Sequence, residues 1–98
     1  MTWNPTREEV ERRNRIRLSV AAYAYEIDSD PVMSDAEFDS LARQIDPMID
    51  TGHAELDLFF LMDFHPDTGL WVRNHPELDK LAACVRRVRH MHDEKNLV

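Results

Sequence analysis

Apolar residues in this chain recur at three- and four-residue steps and never alternate over a strand's length. From Thr6 to about Asp28 they fall at Val10, Ile16, Val20, Tyr23 and Ile27, with Leu18, Ala21, Ala22, Ala24 and Tyr25 widening the stripe. That spacing predicts an amphipathic helix. Thr6 and Glu9 form a capping-box start, and Pro5 bars extension backwards. The early charges, Glu8, Glu9 and Glu11 against Arg12, Arg13 and Arg15, are spaced for i,i+4 pairs on a solvated face. Ser34 and Glu37 repeat the capping pattern. Phe38, Leu41, Ala42 and Ile45 then trace a second helical face, which Pro47 stops by pushing Asp46 out of the helical region. The short link between these helices favours an antiparallel hairpin.

The second half reads the same way. Asp50-Thr51-Gly52 is a cap for a third helix, with Leu56, Phe59, Phe60 and Phe64 on its apolar face and Asp57 and Asp63 opposite. Phe59 and Phe60 are adjacent and cannot point at one spot, so one of them is a candidate exposed anchor for a partner. Residues 65–69 read as a turn. Leu70-Trp71-Val72 is either an extended bridge or a loose helical turn that plugs the core. Pro76 suits the first position of a last helix, with His75 or Asn74 just before it. Leu78, Leu81, Ala82, Val85 and Val88 make its buried stripe. The pattern predicts an all-α fold: one compact domain, 1–98, of about four helices. An N-terminal hairpin spans about 6–46 and a C-terminal helical part 50–95.

Composition narrows the classes. Ninety-eight residues at 43% hydrophobic suffice for one modest core. A single cysteine, Cys84, rules out an internal disulfide framework and fits a reducing compartment. No apolar run approaches the roughly 20 residues that cross a bilayer, and the first residues lack a signal-peptide apolar region. The expectation is a soluble, cytoplasmic protein. Net charge is −7 and unevenly laid out: residues 26–79 hold fourteen acids against Arg43 and Arg73, between ends of +2 and +3. An acidic middle repels nucleic acid and attracts basic protein surfaces.

The stretch from Tyr25 to Asp39 carries a resemblance. Tyr25 precedes an acidic link with Pro31, and Asp35-Ala-Glu-Phe-Asp39 opens the next helix. This resembles, without a gap, the N-terminal (Ia) domain of bacterial NAD-dependent DNA ligases. There a Tyr-His pair precedes an Asp-Ala-Pro link and a Pro-Asp-Ala-Glu-Tyr-Asp helix start. The resemblance spans Arg13 to Ile45 at its widest. It implies a helical hairpin that folds over the nicotinamide mononucleotide half of NAD, with Tyr25, Glu26, Asp35, Phe38 and Asp39 at the cofactor-binding positions. Two of these depart from the family: Glu26 stands where it has histidine, and Phe38 where it has tyrosine. The ligase nucleophile, a lysine in Lys-x-Asp-Gly, has no counterpart, because Lys80 and Lys95 are followed by other residues. The chain as a whole looks like the short stand-alone ligase-related proteins of phages and other mobile elements.

Other chemistry is sparse. His53 with Asp57, and Asp63, His65 and Asp67 around the turn, could in principle ligate a cation, but their spacing matches no standard motif, and no metal is expected. Cys84 sits beside the apolar stripe of the last helix, the place of an inert buried thiol. His90-Met-His92 fits favourable cations at a helix end. Asp35 and Asp39 read as first-turn acids that favour the helix dipole. Arg86, Arg87, Arg89 and His90, with Arg12, Arg13, Arg15 and Arg17, form either a phosphate-binding strip or partners for the acidic middle. Trp3, Trp71, Phe59, Phe60 and Phe64 supply most of the aromatic bulk. The first expectation is therefore a non-catalytic acidic binding protein that occupies a protein partner, such as a host defence complex that handles nucleic acid. The second is a module for NAD or nicotinamide mononucleotide that acts in trans with a nucleotidyltransferase. Nucleic acid and membrane are not expected partners, and no catalytic residue is assigned.

Overall fold

The structure, a computed structural model, describes residues 4–96. Trp3 and the side chain of His92, both read above, lie outside the described residues. Four α-helices and one 3-10 helix carry the chain, with no strand among the described residues: α1 (Arg7–Glu26), α2 (Asp35–Gln44), α3 (Ala54–Met62), the 3-10 helix (Leu70–Asn74) and α4 (Leu78–Asn96). The all-α class follows the apolar spacing. Helix α1 is the hub, packing against α2, α4 and the 3-10 helix. No helix among the described residues is long and apolar enough to cross a membrane.

Helix starts follow the capping chemistry. Thr6 Oγ1 accepts the Glu9 N–H at 3.2 Å, and Ser34 Oγ accepts the Glu37 N–H at 3.1 Å. At the start of α3, His53 is the cap: its Nδ1 accepts the Leu56 N–H at 3.3 Å, a task the sequence pattern had given to residues 50–52. Leu70 to Asn74 resolves as a helical turn that plugs the core with Trp71 and Val72. Helix α4 begins two residues after Pro76, because His75 Nδ1 takes the Glu77 N–H at 3.0 Å and holds those residues in a turn.

The buried face of α1 differs from the stripe its apolar residues suggest. Val10, Ile16 and Ile27 are exposed, whereas Glu11, Asn14, Arg15, Leu18, Ser19 and Ala22 are buried. That set also steps by three and four, so α1 turns a half-polar face inward. Glu11 and Arg15 do pair at i,i+4, but in the core and not in solvent: Arg15 Nε meets Glu11 Oε2 at 2.6 Å. Arg15 Nη1 donates to Asp57 Oδ1 at 2.8 Å, and Nη2 to the carbonyls of Asp46 and Ile49 at 2.9 and 3.0 Å. Its guanidinium carbon lies 5.0 Å from the centre of the Phe60 ring. Glu11 Oε1 in turn accepts the Asp46 N–H at 3.0 Å. Asp57 also accepts the Thr51 hydroxyl at 2.6 Å and its amide at 3.1 Å. One arginine thus ties α1 to both ends of the loop between α2 and α3, and Asp57 faces inward, not opposite the core.

Phe59 and Phe60 are both buried, so neither is an exposed anchor. They pack edge-on against each other at 5.4 Å and share Trp71. Phe59 packs edge-on against His75 at 5.1 Å, and Phe60 lies against Phe64 and Trp71 at 5.6 Å each. The large apolar residues of α3 that do face outward are Leu58, Leu61 and Met62.

Candidate functional site

Tyr25, Glu26, Asp35, Phe38 and Asp39 line one hollow where α1 ends and α2 begins. Three local features put them there. After α1 the chain turns through Ser29, at φ 53°, which brings the Asp30 N–H to the Ala24 carbonyl at 2.9 Å. Asparagine and glycine take that conformation more readily than serine, so the turn is held by its surroundings. Asp35, Phe38 and Asp39 stand at i, i+3 and i+4 and share one face of α2. Opposite them, the loop with Asp67 and Gly69 closes the hollow. A Cβ at Gly69 would sit 3.4 Å from both Ala22 Cβ and Glu26 Cγ, so glycine lets this loop lie against α1.

The hollow holds about 170 Å³, less than the roughly 300 Å³ at which drug-sized ligand sites begin. Its charged lining is Glu26, Asp35, Asp39 and Asp67, with no cation among them. That field repels a phosphate and favours a cation or an amine donor. The lining therefore suits a cationic group and does not suit a phosphate.

Of the arginines read as a strip, Arg15 and Arg89 meet acids of the middle of the domain. Arg89 donates to the carboxylates of Asp28 and Asp30 and to the Asp30 carbonyl, fastening α4 to the link after α1. Arg7 pairs with Asp46 at 3.1 Å, and Arg73 donates to the Glu26 carbonyl at 2.8 Å. The proposed cation ligands do not converge. His53 caps α3, Asp57 is turned to Arg15 and Thr51, and His65 Nδ1 accepts the Asp67 N–H at 3.2 Å. Among the described residues no three His, Cys, Asp or Glu side chains are placed to hold a metal ion.

Two surfaces escaped the sequence reading. The first is a larger hollow, about 540 Å³, between α1, α3 and α4, with Ser19, Phe60, His75 and Cys84 among its walls. Cys84 is half-buried there. Burial holds the His75 imidazole below its usual pKa, against a smaller upward pull from Glu77. The signal was Ser19, a hydroxyl inside the most apolar part of α1. The second is the outer side of α3. Leu58, Leu61 and Met62 are 60%, 51% and 72% exposed, and Met48 beside them is 79% exposed. Its signal was a nine-residue helix with seven apolar residues, which buries one face and leaves another unpartnered.

No family model, curated protein or solved structure matches the chain.

Proposed function

We propose that this chain is a non-catalytic binding protein that docks onto a basic protein surface through the outer face of α3. The observation behind this reading is the cluster of Met48, Leu58, Leu61 and Met62. Leu58, Leu61 and Met62 stand at i, i+3 and i+4, and Met48 and Leu58 line one open groove with Asp50. Glu55 and Asp63 are exposed on the same helix and its end. Grouped apolar side chains rimmed by like charges mark an interaction surface more than a solvated face. The carboxylate rim selects the partner: an apolar spot surrounded by Lys and Arg, the lining of grooves that hold nucleic-acid phosphates. A small acidic protein seated in such a groove excludes its nucleic acid. That is the role expected of a mobile-element product acting on a host nucleic-acid-handling complex.

Leu58→Asp combined with Leu61→Asp tests this. Both positions are exposed, so the melting temperature should stay within a few degrees. Capture from a host lysate should yield a protein that heparin displaces from the native chain, and the double variant should bind it at least tenfold more weakly. Equal capture by native chain and variant would remove the docking face from consideration.

A second reading has one observation in its favour: the five ligase-like positions do share a hollow. The reading is narrowed to a site for the nicotinamide ring. Calorimetric titration should show nicotinamide riboside, which lacks the phosphate, binding more tightly than nicotinamide mononucleotide. No heat from either at millimolar concentration would end this reading.

A further inference from the structure

We propose that the hollow between α1, α3 and α4 is a binding site for a small amphipathic carboxylic acid, its apolar body against Phe60 and Leu81 and its carboxylate at the rim between Arg12 and Lys80. This site is separate from the docking face of α3 and does not depend on it. At about 540 Å³ it falls inside the roughly 300–1000 Å³ range of small-molecule sites. Ile16, Leu56, Phe60 and Leu81 give it an apolar lining, with Phe60 and Leu81 the buried part.

Ser19 and His75 line the hollow as well. Ser19 Oγ is the single buried side-chain polar atom without a hydrogen-bond partner among the described residues, and it is closed off from solvent, so the ligand's polar group belongs at the rim and not at this hydroxyl. His75 is buried, and its Nδ1 is taken by the Glu77 N–H, which leaves Nε2 as the nitrogen that carries hydrogen.

The rim fixes the charge of the head group. Arg12 uses Nη2 on the Thr51 carbonyl and keeps its other N–H groups. Lys80 meets Glu77 with one ammonium proton, and its side chain is 79% exposed. The lining holds three permanent cations, Arg12, Arg15 and Lys80, against the one carboxylate of Glu77, in a chain of net charge −7; Arg15 is turned to Glu11 and Asp57, which leaves Arg12 and Lys80 for the head group. The acidic hollow on the other side of α1 has the opposite field, so an anionic amphiphile is steered to this one.

Decanoate, decan-1-ol and decyltrimethylammonium, all kept below micelle formation, are the probes. Cys84 is the chain's single cysteine and lines the hollow, so its alkylation by iodoacetamide reports occupancy. Decanoate should slow alkylation and bind at least tenfold more tightly than decanol in calorimetry, with the cationic analogue weakest. Lys80→Glu, a change at an exposed position, should bring decanoate down to the level of decanol. Ser19→Leu should fill the hollow and abolish protection by all three. Failure of millimolar decanoate to protect Cys84, equal binding of the three probes, or indifference to Lys80→Glu would overturn the assignment.

Discussion

Arg15→Ala is expected to destabilise the fold by about 3–5 kcal/mol, because it strands a buried charge and two part-buried carbonyls at once. The side chain of Arg15 is 5% exposed and that of its partner Glu11 is 4% exposed. With the guanidinium gone, Glu11 keeps only the Asp46 N–H, and the carbonyls of Asp46 and Ile49 lose their donor. Domains have a total stability of only about 5–15 kcal/mol, so this loss takes a large share of it. Arg15→Lys should recover only part of the loss. Arginine reaches Glu11, Asp57 and two carbonyls from a planar fork, which three protons on one nitrogen cannot reproduce. Urea unfolding followed by circular dichroism measures both. A cost under about 1 kcal/mol for Arg15→Ala, the scale of an exposed pair, would show that the network contributes little.

The same network sets the acid limit. Burial of Asp57 pushes its pKa up, but hydrogen bonds from Thr51 and Arg15 outweigh this and hold it below the ordinary value. A carboxylate depressed in the fold contributes stability above its unfolded pKa of about 3.9, and that contribution is lost as pH falls through the lower folded value. Native protein should therefore lose stability below about pH 4. Asp57→Asn should be less stable at neutral pH and show a shallower decline there.

Why the sequence betrayed some features and hid others follows from what each residue contacts. Capping hydroxyls at Thr6 and Ser34, and the stop at Pro47, act within a few residues of themselves, so they are readable from a string. The five ligase-like positions sit within one turn of a single corner, and local geometry alone brings them into one hollow. The inward face of α1 was not readable. Glu11, Asn14, Arg15 and Ser19 are polar, and for Glu11 and Arg15 it is the stretch arriving from residues 46–57 that makes burial favourable. That stretch lies more than thirty positions away, and no local pattern announces it. Helix α3 was half readable. Its hydrophobicity marked it as core, but whether Phe59 and Phe60 or Leu58 and Leu61 face inward depends on where Trp71 docks.

Trp71→Ala should cost about 3–5 kcal/mol, the range for truncating a large buried aromatic. Trp71 is 4% exposed and joins three phenylalanines, with ring centres 6.0, 5.6 and 5.3 Å from those of Phe59, Phe60 and Phe64. Its Nε1–H donates to the Thr68 carbonyl at 2.6 Å, which fixes the turn before the 3-10 helix. Trp71→Phe keeps part of the ring contact and loses that bond, so its cost should be nearer 1 kcal/mol plus a packing defect. The change to alanine removes one of two tryptophans, so unfolding is best followed by circular dichroism. The 3-10 helix joins Gly69, on the wall of the acidic hollow, to His75, on the wall of the larger one. Trp71 is the wedge that holds this segment against α1 and α3, so its loss should loosen both hollows together. A Trp71→Ala protein with native stability would mean that α1, α3 and α4 hold their places without the plug, and the 3-10 helix would then be an appendage of the core.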